Sequence, residues 1–160
     1  MRGNGQLLTS IQEKLVESVN LAMHQYHKLV ILVEDNEKKR NLLISDFAKF
    51  HGIDPINLNL HLSSRLLEKS PKERTSTLLE QLRDLIGKDS PLIVLNHCEI
   101  LFDQSLKNDP LKLLENISRN RTILVAWPGH YQNGSLIYAT PDHPEYRCYT
   151  TPEIPIISEQ

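Results

Sequence analysis

The apolar residues of this chain follow two periods. Ile11, Leu15, Val19 and Ala22, flanked by Val16 and Met23, recur at three-and-four spacing, which predicts a helix to about Met23 with one buried face. Ser10, Ile11, Gln12 and Glu13 carry the capping-box pattern that would open it. Three uninterrupted apolar runs come later, at Leu29–Val33, 92–95 and Thr122–Trp127. Rich in β-branched residues and bounded by polar ones, they read as strands covered on both faces, as in a parallel sheet.

Between the runs the helical period returns. The polar 34–40 segment leads into a helix on which Leu43, Phe47 and Phe50 share a face, with Gly52 as its stop. Ser70-Pro71-Lys72-Glu73 joins a capping box to proline at the first helical position, and Leu78, Leu82, Leu85 and Ile86 carry the apolar face to Gly87. Asp109-Pro110 opens another helix with Leu111, Leu114 and Ile117 inward. Ile56, Leu58, Leu60 and Leu62 alternate with Asn57, Asn59 and His61, which predicts a half-exposed edge strand, followed by a helical turn at 63–69. Asn133-Gly134 between Tyr131 and Tyr138 predicts a hairpin, because Asn-Gly supplies the positive φ angles of a type I′ turn. From Thr140 onward, prolines at 141, 144, 152 and 155 predict an extended or partly disordered end.

Alternating strands and helices imply right-handed crossovers and a small three-layer α/β domain with a parallel sheet of about four strands and a C-terminal β-hairpin. The expected organisation is a flexible N-terminus at 1–9, one domain at 10–149 and a Pro-containing tail at 150–160. Crossover geometry puts the 34–40 loop and the 96–99 cluster on one sheet edge, where α/β sheets keep their ligand sites.

At 160 residues the chain has the length of one domain. Lys and Arg number 18 against 20 Asp and Glu, a net charge of −2, which excludes a globally basic protein and confines any DNA contact to a local patch. Two cysteines, Cys98 and Cys148, are too few for a disulfide framework and read as reduced thiols. No apolar stretch reaches the ~20 residues of a membrane span, and Met1-Arg2-Gly3-Asn4-Gly5 lacks a signal peptide's apolar run. A cytoplasmic protein without a membrane partner is the expectation.

After the first buried strand stands Glu34-Asp35-Asn36-Glu37-Lys38-Lys39-Arg40-Asn41, at the place of a phosphate-binding loop. Such a loop needs glycines whose N–H groups wrap the anion, a lysine for the outer phosphates and a hydroxyl for magnesium. The glycines are missing, and three acidic residues in seven repel a triphosphate; Lys39 or Arg40 stands for the lysine, and Arg40 or Asn41 for the hydroxyl. A solvated turn with acidic residues at a helix N-terminus explains the same letters. The strand that would hold magnesium ends in Asn96, an amide that brings no charge, and Glu99 is the nearest carboxylate and the sole catalytic candidate. Lys38, Lys39, Arg40, Asn41 and Asn96 are the nucleotide-contact candidates, with ATP and magnesium as the candidate cofactors.

His97, Cys98 and Glu99, adjacent on an extended chain, point to opposite faces and cannot all chelate one ion, so no metal site is expected. His24 and His27 read as a surface pair. Arg119 and Arg121 sit at a helix end from which guanidinium groups reach a neighbouring subunit's phosphate or carboxylate, or simply complement the helix dipole. Trp127 and Tyr131, beside Pro128-Gly129, read as a platform for protein contact or base stacking.

Several strings carry a family likeness: Ser64-Arg65-Leu66-Leu67, Leu101-Phe102-Asp103, Asp109-Pro110-Leu111-Lys112-Leu113-Leu114, Ser118-Arg119-Asn120-Arg121-Thr122, Ala126-Trp127-Pro128-Gly129 and His143-Pro144-Glu145-Tyr146. Together, over 29–149, they resemble the BrxF family, the small P-loop-like component of type 3 BREX (bacteriophage exclusion) defence systems. The resemblance implies a P-loop NTPase-like fold of reduced AAA type, antiviral defence as the setting, and other proteins of the defence system as partners. The intact Gly-rich loop of many family members is absent here. The resulting expectation is a non-hydrolysing assembly or regulatory subunit. Its rivals are an atypical AAA-like ATPase completed by homo-oligomerisation through Arg119 or Arg121, and a DNA-binding accessory module using Lys38, Lys39, Arg40, Trp127 and Tyr131.

Overall fold

The computed structural model describes residues 9–159. Its elements in order are α1 (Ser10–Ala22), β1 (Leu29–Val33), α2 (Glu37–Phe50), β2 (Ile56–Asn57), α3 (Leu58–Leu66), α4 (Pro71–Ile86), β3 (Leu92–Asn96), α5 (Pro110–Ile117), β4 (Thr122–Trp127), β5 (His130–Gln132), β6 (Ser135–Tyr138), β7 (Arg147–Thr150) and β8 (Ile156–Ile157). Short 3-10 turns at Glu99–Phe102 and Gln104–Leu106 join β3 to α5.

Five strands form one parallel sheet in the order β2-β3-β4-β1-β8. Side-chain alternation sends Ile31, Leu95 and Val125 to one face, under Leu62, Leu82 and Leu114 of α3, α4 and α5. Leu32, Val94 and Leu124 go to the other, under Leu15 of α1 and Phe47 of α2. The domain is therefore three-layered α/β, and β1 and β4 are buried along their whole length, as their apolar runs require. The smaller sheet, β5-β6-β7, is antiparallel; Asn133 and Gly134 turn its first hairpin at φ 51° and 77°.

The start of α4 follows the sequence closely. Ser70 accepts the Glu73 N–H (3.2 Å) and the Glu73 carboxylate accepts the Ser70 N–H (3.0 Å), the full capping box. That backbone bond holds the Glu73 carboxyl below the usual range.

Three local expectations are corrected, and a fourth, the extended or partly disordered end, is narrowed to its extended form. Thr9, not Ser10, caps α1: its hydroxyl accepts the Gln12 N–H at 3.3 Å. The core face of α2 is Arg40, Ile44, Phe47 and Ala48, whereas Phe50 lies on the flank and is 55% exposed. The expected 56–62 strand ends after two residues, because Asn57 accepts the Leu60 N–H (3.0 Å) and starts α3. Leu58, Leu62 and Leu66 are buried there; an alternating string also contains the i, i+4 spacing of a helix, and the Asn cap decides between them. The proline-rich end is ordered: β7 pairs with β6, Ile154 is buried, and β8 lies beside β1, where the Ile31 N–H donates to the Pro155 carbonyl (3.0 Å). The parallel sheet thus has five strands instead of four, since a two-residue strand leaves no periodic signal.

Among the described residues, no helix is long and apolar enough to cross a membrane.

Candidate functional site

The C-terminal edge of the parallel sheet brings together the β1–α2 loop, the residues after β3 and the end of β4. Leaving β1, the Glu34 carboxylate turns back and accepts the Asn36 N–H at 2.9 Å. Asn36 caps α2, its side chain accepting the Lys39 N–H (2.9 Å). Lys39 Nζ lies 3.6 Å from Glu34 and 2.9 Å from Glu159, near the end of the chain. The hydrogen bond to Glu159, then the charges of Glu159 and Glu34, hold the lysine pKa above its ordinary value. Arg40 is turned inward, 7% exposed: it donates to the Glu34 carbonyl (3.0 Å), and its other terminal nitrogen is 3.9 Å from Glu37. Lys38 points to solvent and Asn41 is half-buried.

The Asn36 and Lys39 N–H groups and the Lys39 ammonium, which an anion cradle at this position would use, are thus engaged within the chain. A carboxylate already holds a loop N–H, and the lysine that would meet outer phosphates faces two carboxylates. Phosphate binding here would have to break these contacts and overcome the repulsion of Glu34, Glu37 and Glu159.

Asn96 ends β3 with its Oδ1 buried and unpartnered. By alternation it shares the face of Val94, under α1 and α2. The chain then departs from the extended path that the sequence suggests. His97 takes φ 51°, Cys98 a near-helical conformation, and Glu99 begins a 3-10 turn. Asn59, in the first turn of α3, holds this corner. Its N–H donates to the His97 carbonyl (2.8 Å), its Nδ2 to Glu99 Oε1 (3.0 Å), and its Oδ1 accepts the Ile100 N–H (2.7 Å). Cys98 is buried; burial first, then the Glu99 charge, pushes its thiol pKa up, and Arg40 pulls the other way. Both its burial and the direction of that shift favour the thiol over the thiolate. Among the described residues, no three His, Cys, Asp or Glu side chains are placed to hold a metal ion.

The expected Trp127–Tyr131 platform is corrected. Trp127 is fully buried: its indole Nε1 donates to the Ile137 carbonyl (2.8 Å), and its ring meets Phe102 edge-on at 5.3 Å and Tyr149 at 6.1 Å. Tyr131 is half-buried against the same core. Gly129 lets β6 come close, for a Cβ there would stand 1.9 Å from the Ile137 carbonyl oxygen. Tyr138 stacks on Phe102 at 3.8 Å, and burial, with the charges of Glu145 and Glu99, pushes its phenol up to about 12. An indole with an inward hydrogen-bond partner ties the two sheets together and offers no face to a ligand.

Arg119 and Arg121 lie at the opposite end of β4, about 16 Å away along five strand steps. The Arg119 guanidinium sits 4.7 Å over the Tyr26 ring, and Lys28 Nζ donates to its carbonyl (3.1 Å). Arg121 is half-buried, with Nη1 enclosed and unpartnered. The two histidines do not act as a pair: His24 is exposed, while His27 Nδ1 lies 3.1 Å from the Glu115 carbonyl.

The structure therefore gathers Glu34, Lys39, Arg40, Asn96 and Glu99 at one edge and separates the arginine pair from them. Asn59 and Glu159 belong to this edge and escaped the sequence reading. Asn59 stood in an alternating string that read as strand, and Glu159 in a proline-containing tail that read as extended or partly disordered. In comparisons with known proteins, the chain matches no family model, no curated protein and no solved structure.

Proposed function

We propose that this chain is a non-hydrolysing, P-loop-derived α/β module that serves as an assembly or regulatory subunit of a type 3 BREX-like phage-resistance complex. One observation carries the first half: the loop at the phosphate position is closed on itself by Glu34, Asn36, Lys39 and Glu159. The parallel sheet is in keeping with P-loop ancestry, since α2 follows β1 where the phosphate-binding helix belongs. The end of β3 agrees. Asn96 supplies no charge for magnesium, and Glu99 is held by the Asn59 amide. The second half, with its partner proteins and cytoplasmic setting, rests on the family likeness of the strings between Ser64 and Tyr146.

Calorimetric titration with ATP and magnesium tests the first half, and the expected result is no heat of binding and no turnover. Magnesium-dependent ATP turnover abolished by Lys39→Ala and by Glu99→Gln would overturn it. Co-purification with co-expressed proteins of such a defence system tests the second half, together with plaque counts with and without this chain. Association and lost protection on deletion are expected. No association and unchanged plaque counts would refute the subunit role.

A further inference from the structure

The C-terminal segment is anchored far more firmly than it is tethered. Ile154 is buried in the core beneath α3, α4 and α5, Ile156 packs on that core, and Ile157 packs on the opposite one under α1 and α2. The Pro155 carbonyl takes the Ile31 N–H, and Glu159 reaches Lys39. The β8 pairing, the Pro155 carbonyl and Glu159 anchor on β1 and α2, whereas β7, from which the segment departs, belongs to the small antiparallel sheet. The link between them is short and strained. Thr151, a β-branched residue, is held at φ 41°, its N–H bonded to the Gly134 carbonyl (2.9 Å). Pro152 and Pro155 fix their own φ angles and drive the residues before them toward extended conformations.

A self-contained plug on a short, strained, stiff hinge is the arrangement that favours strand exchange, because the plug's contacts are the same whichever copy supplies it and only the hinge distinguishes the two states. We propose that β8 is exchanged between two copies of this chain, each β1 being flanked by Ile156 and Ile157 of the other copy. In the exchanged dimer, Glu159 of one copy pairs with Lys39 of the other, so each 34–40 loop is closed by its neighbour's chain. The proposal is independent of whether the loop binds nucleotide.

The test is the monomer–dimer equilibrium of the full chain, followed by sedimentation or light scattering over a range of concentrations. Thr151→Pro cannot adopt the positive φ and has no N–H for Gly134, so it destabilises the closed hinge; Thr151→Gly removes the strain. Thr151→Pro is expected to tighten the dimer by roughly tenfold or more and Thr151→Gly to loosen it several-fold. A folded Thr151→Pro protein that stays as monomeric as the parent overturns the proposal. If Thr151→Pro fails to fold, a charge exchange decides. Lys39→Glu and Glu159→Lys each place like charges together in any arrangement of a single species, but mixed they are complementary only across an exchanged pair. The mixture is expected to form several-fold more dimer than either variant alone; equal dimer in all three samples overturns the proposal.

Discussion

Two regions at one edge of the sheet attract a functional reading for the same reason, a cluster of chemically able side chains after a buried strand, and the fold treats them oppositely. The 34–40 loop stays at the surface and neutralises itself through ion pairs and backbone bonds. The end of β4 is drawn inward, where Trp127, Phe102, Tyr138 and Tyr149 form an aromatic knot under the small sheet. The difference teaches that a side chain's chemistry and its availability are separate questions. Exposed ionic contacts contribute little to stability even when they dictate what a loop can bind, while a buried aromatic knot contributes much.

The largest effect is expected where the knot is cut. Trp127→Ala removes a fully buried indole and the hydrogen bond that its Nε1 donates to the Ile137 carbonyl. Equilibrium unfolding in denaturant should show a loss of about 3–5 kcal/mol. A loss below about 1 kcal/mol, the scale of an exposed side chain, would return Trp127 to the surface and erase the contrast between the regions.

The fold was legible wherever burial imposed a period on many residues. The runs at β1, β3 and β4 had to be strands covered on both faces, and Ser70-Pro71 with Glu73 had to open a helix. It was illegible where one or two residues decide. Asn57 turns the 56–62 string from strand to helix with a single cap, and β8 adds a fifth strand with two residues. The candidate site was legible as a place, since parallel strands bring β1 and β3 to a common edge. Its chemistry was not, because that depends on contacts across long stretches of chain: Glu159 with Lys39, and Asn59 with Glu99.

A smaller effect should follow from loosening the corner that joins the two regions. Asn59→Ala deletes the acceptor of the Ile100 N–H and the donor to Glu99. The cost should be about 1–3 kcal/mol in the same measurement. Asn59→Asp separates the two bonds, keeping an acceptor for Ile100 while setting a second carboxylate against Glu99; it should recover less than half of the loss if the Glu99 contact matters.

Titration compares the regions without deleting much. The Tyr138 phenol is pushed from its ordinary 10 up to about 12, first by burial and then by the charges of Glu145 and Glu99. The folded state therefore keeps its proton where the unfolded chain has lost it. The stability this represents is intact below pH 10 and lost as pH rises from about 10 to 12. Tyr149, raised by burial and by its bond to Asp109, acts in the same direction. Unfolding free energies measured across this window should fall with pH, and the slope should be shallower in Tyr138→Phe. An unchanged slope in the variant would mean that the phenol is solvated and the knot looser than its stacking geometry indicates.

The smallest effect is expected in the charged loop, and its smallness is informative. Lys39 is half exposed and meets Glu34 and Glu159 in solvent, where such pairs contribute little to folding, so Lys39→Ala should leave the unfolding midpoint within error of the parent. What it should change is local. With the ammonium gone, Glu159 loses its partner and the last residues of the chain lose one anchor beside β1, which hydrogen exchange of the Ile157 and Ser158 amides would register as faster opening. Charge reversal at position 159 should reproduce that opening, because it breaks the same pair from the other side. If Lys39→Ala instead destabilises the domain as much as Asn59→Ala does, the ion pairs are structural and the contrast between an indifferent loop and an essential knot fails.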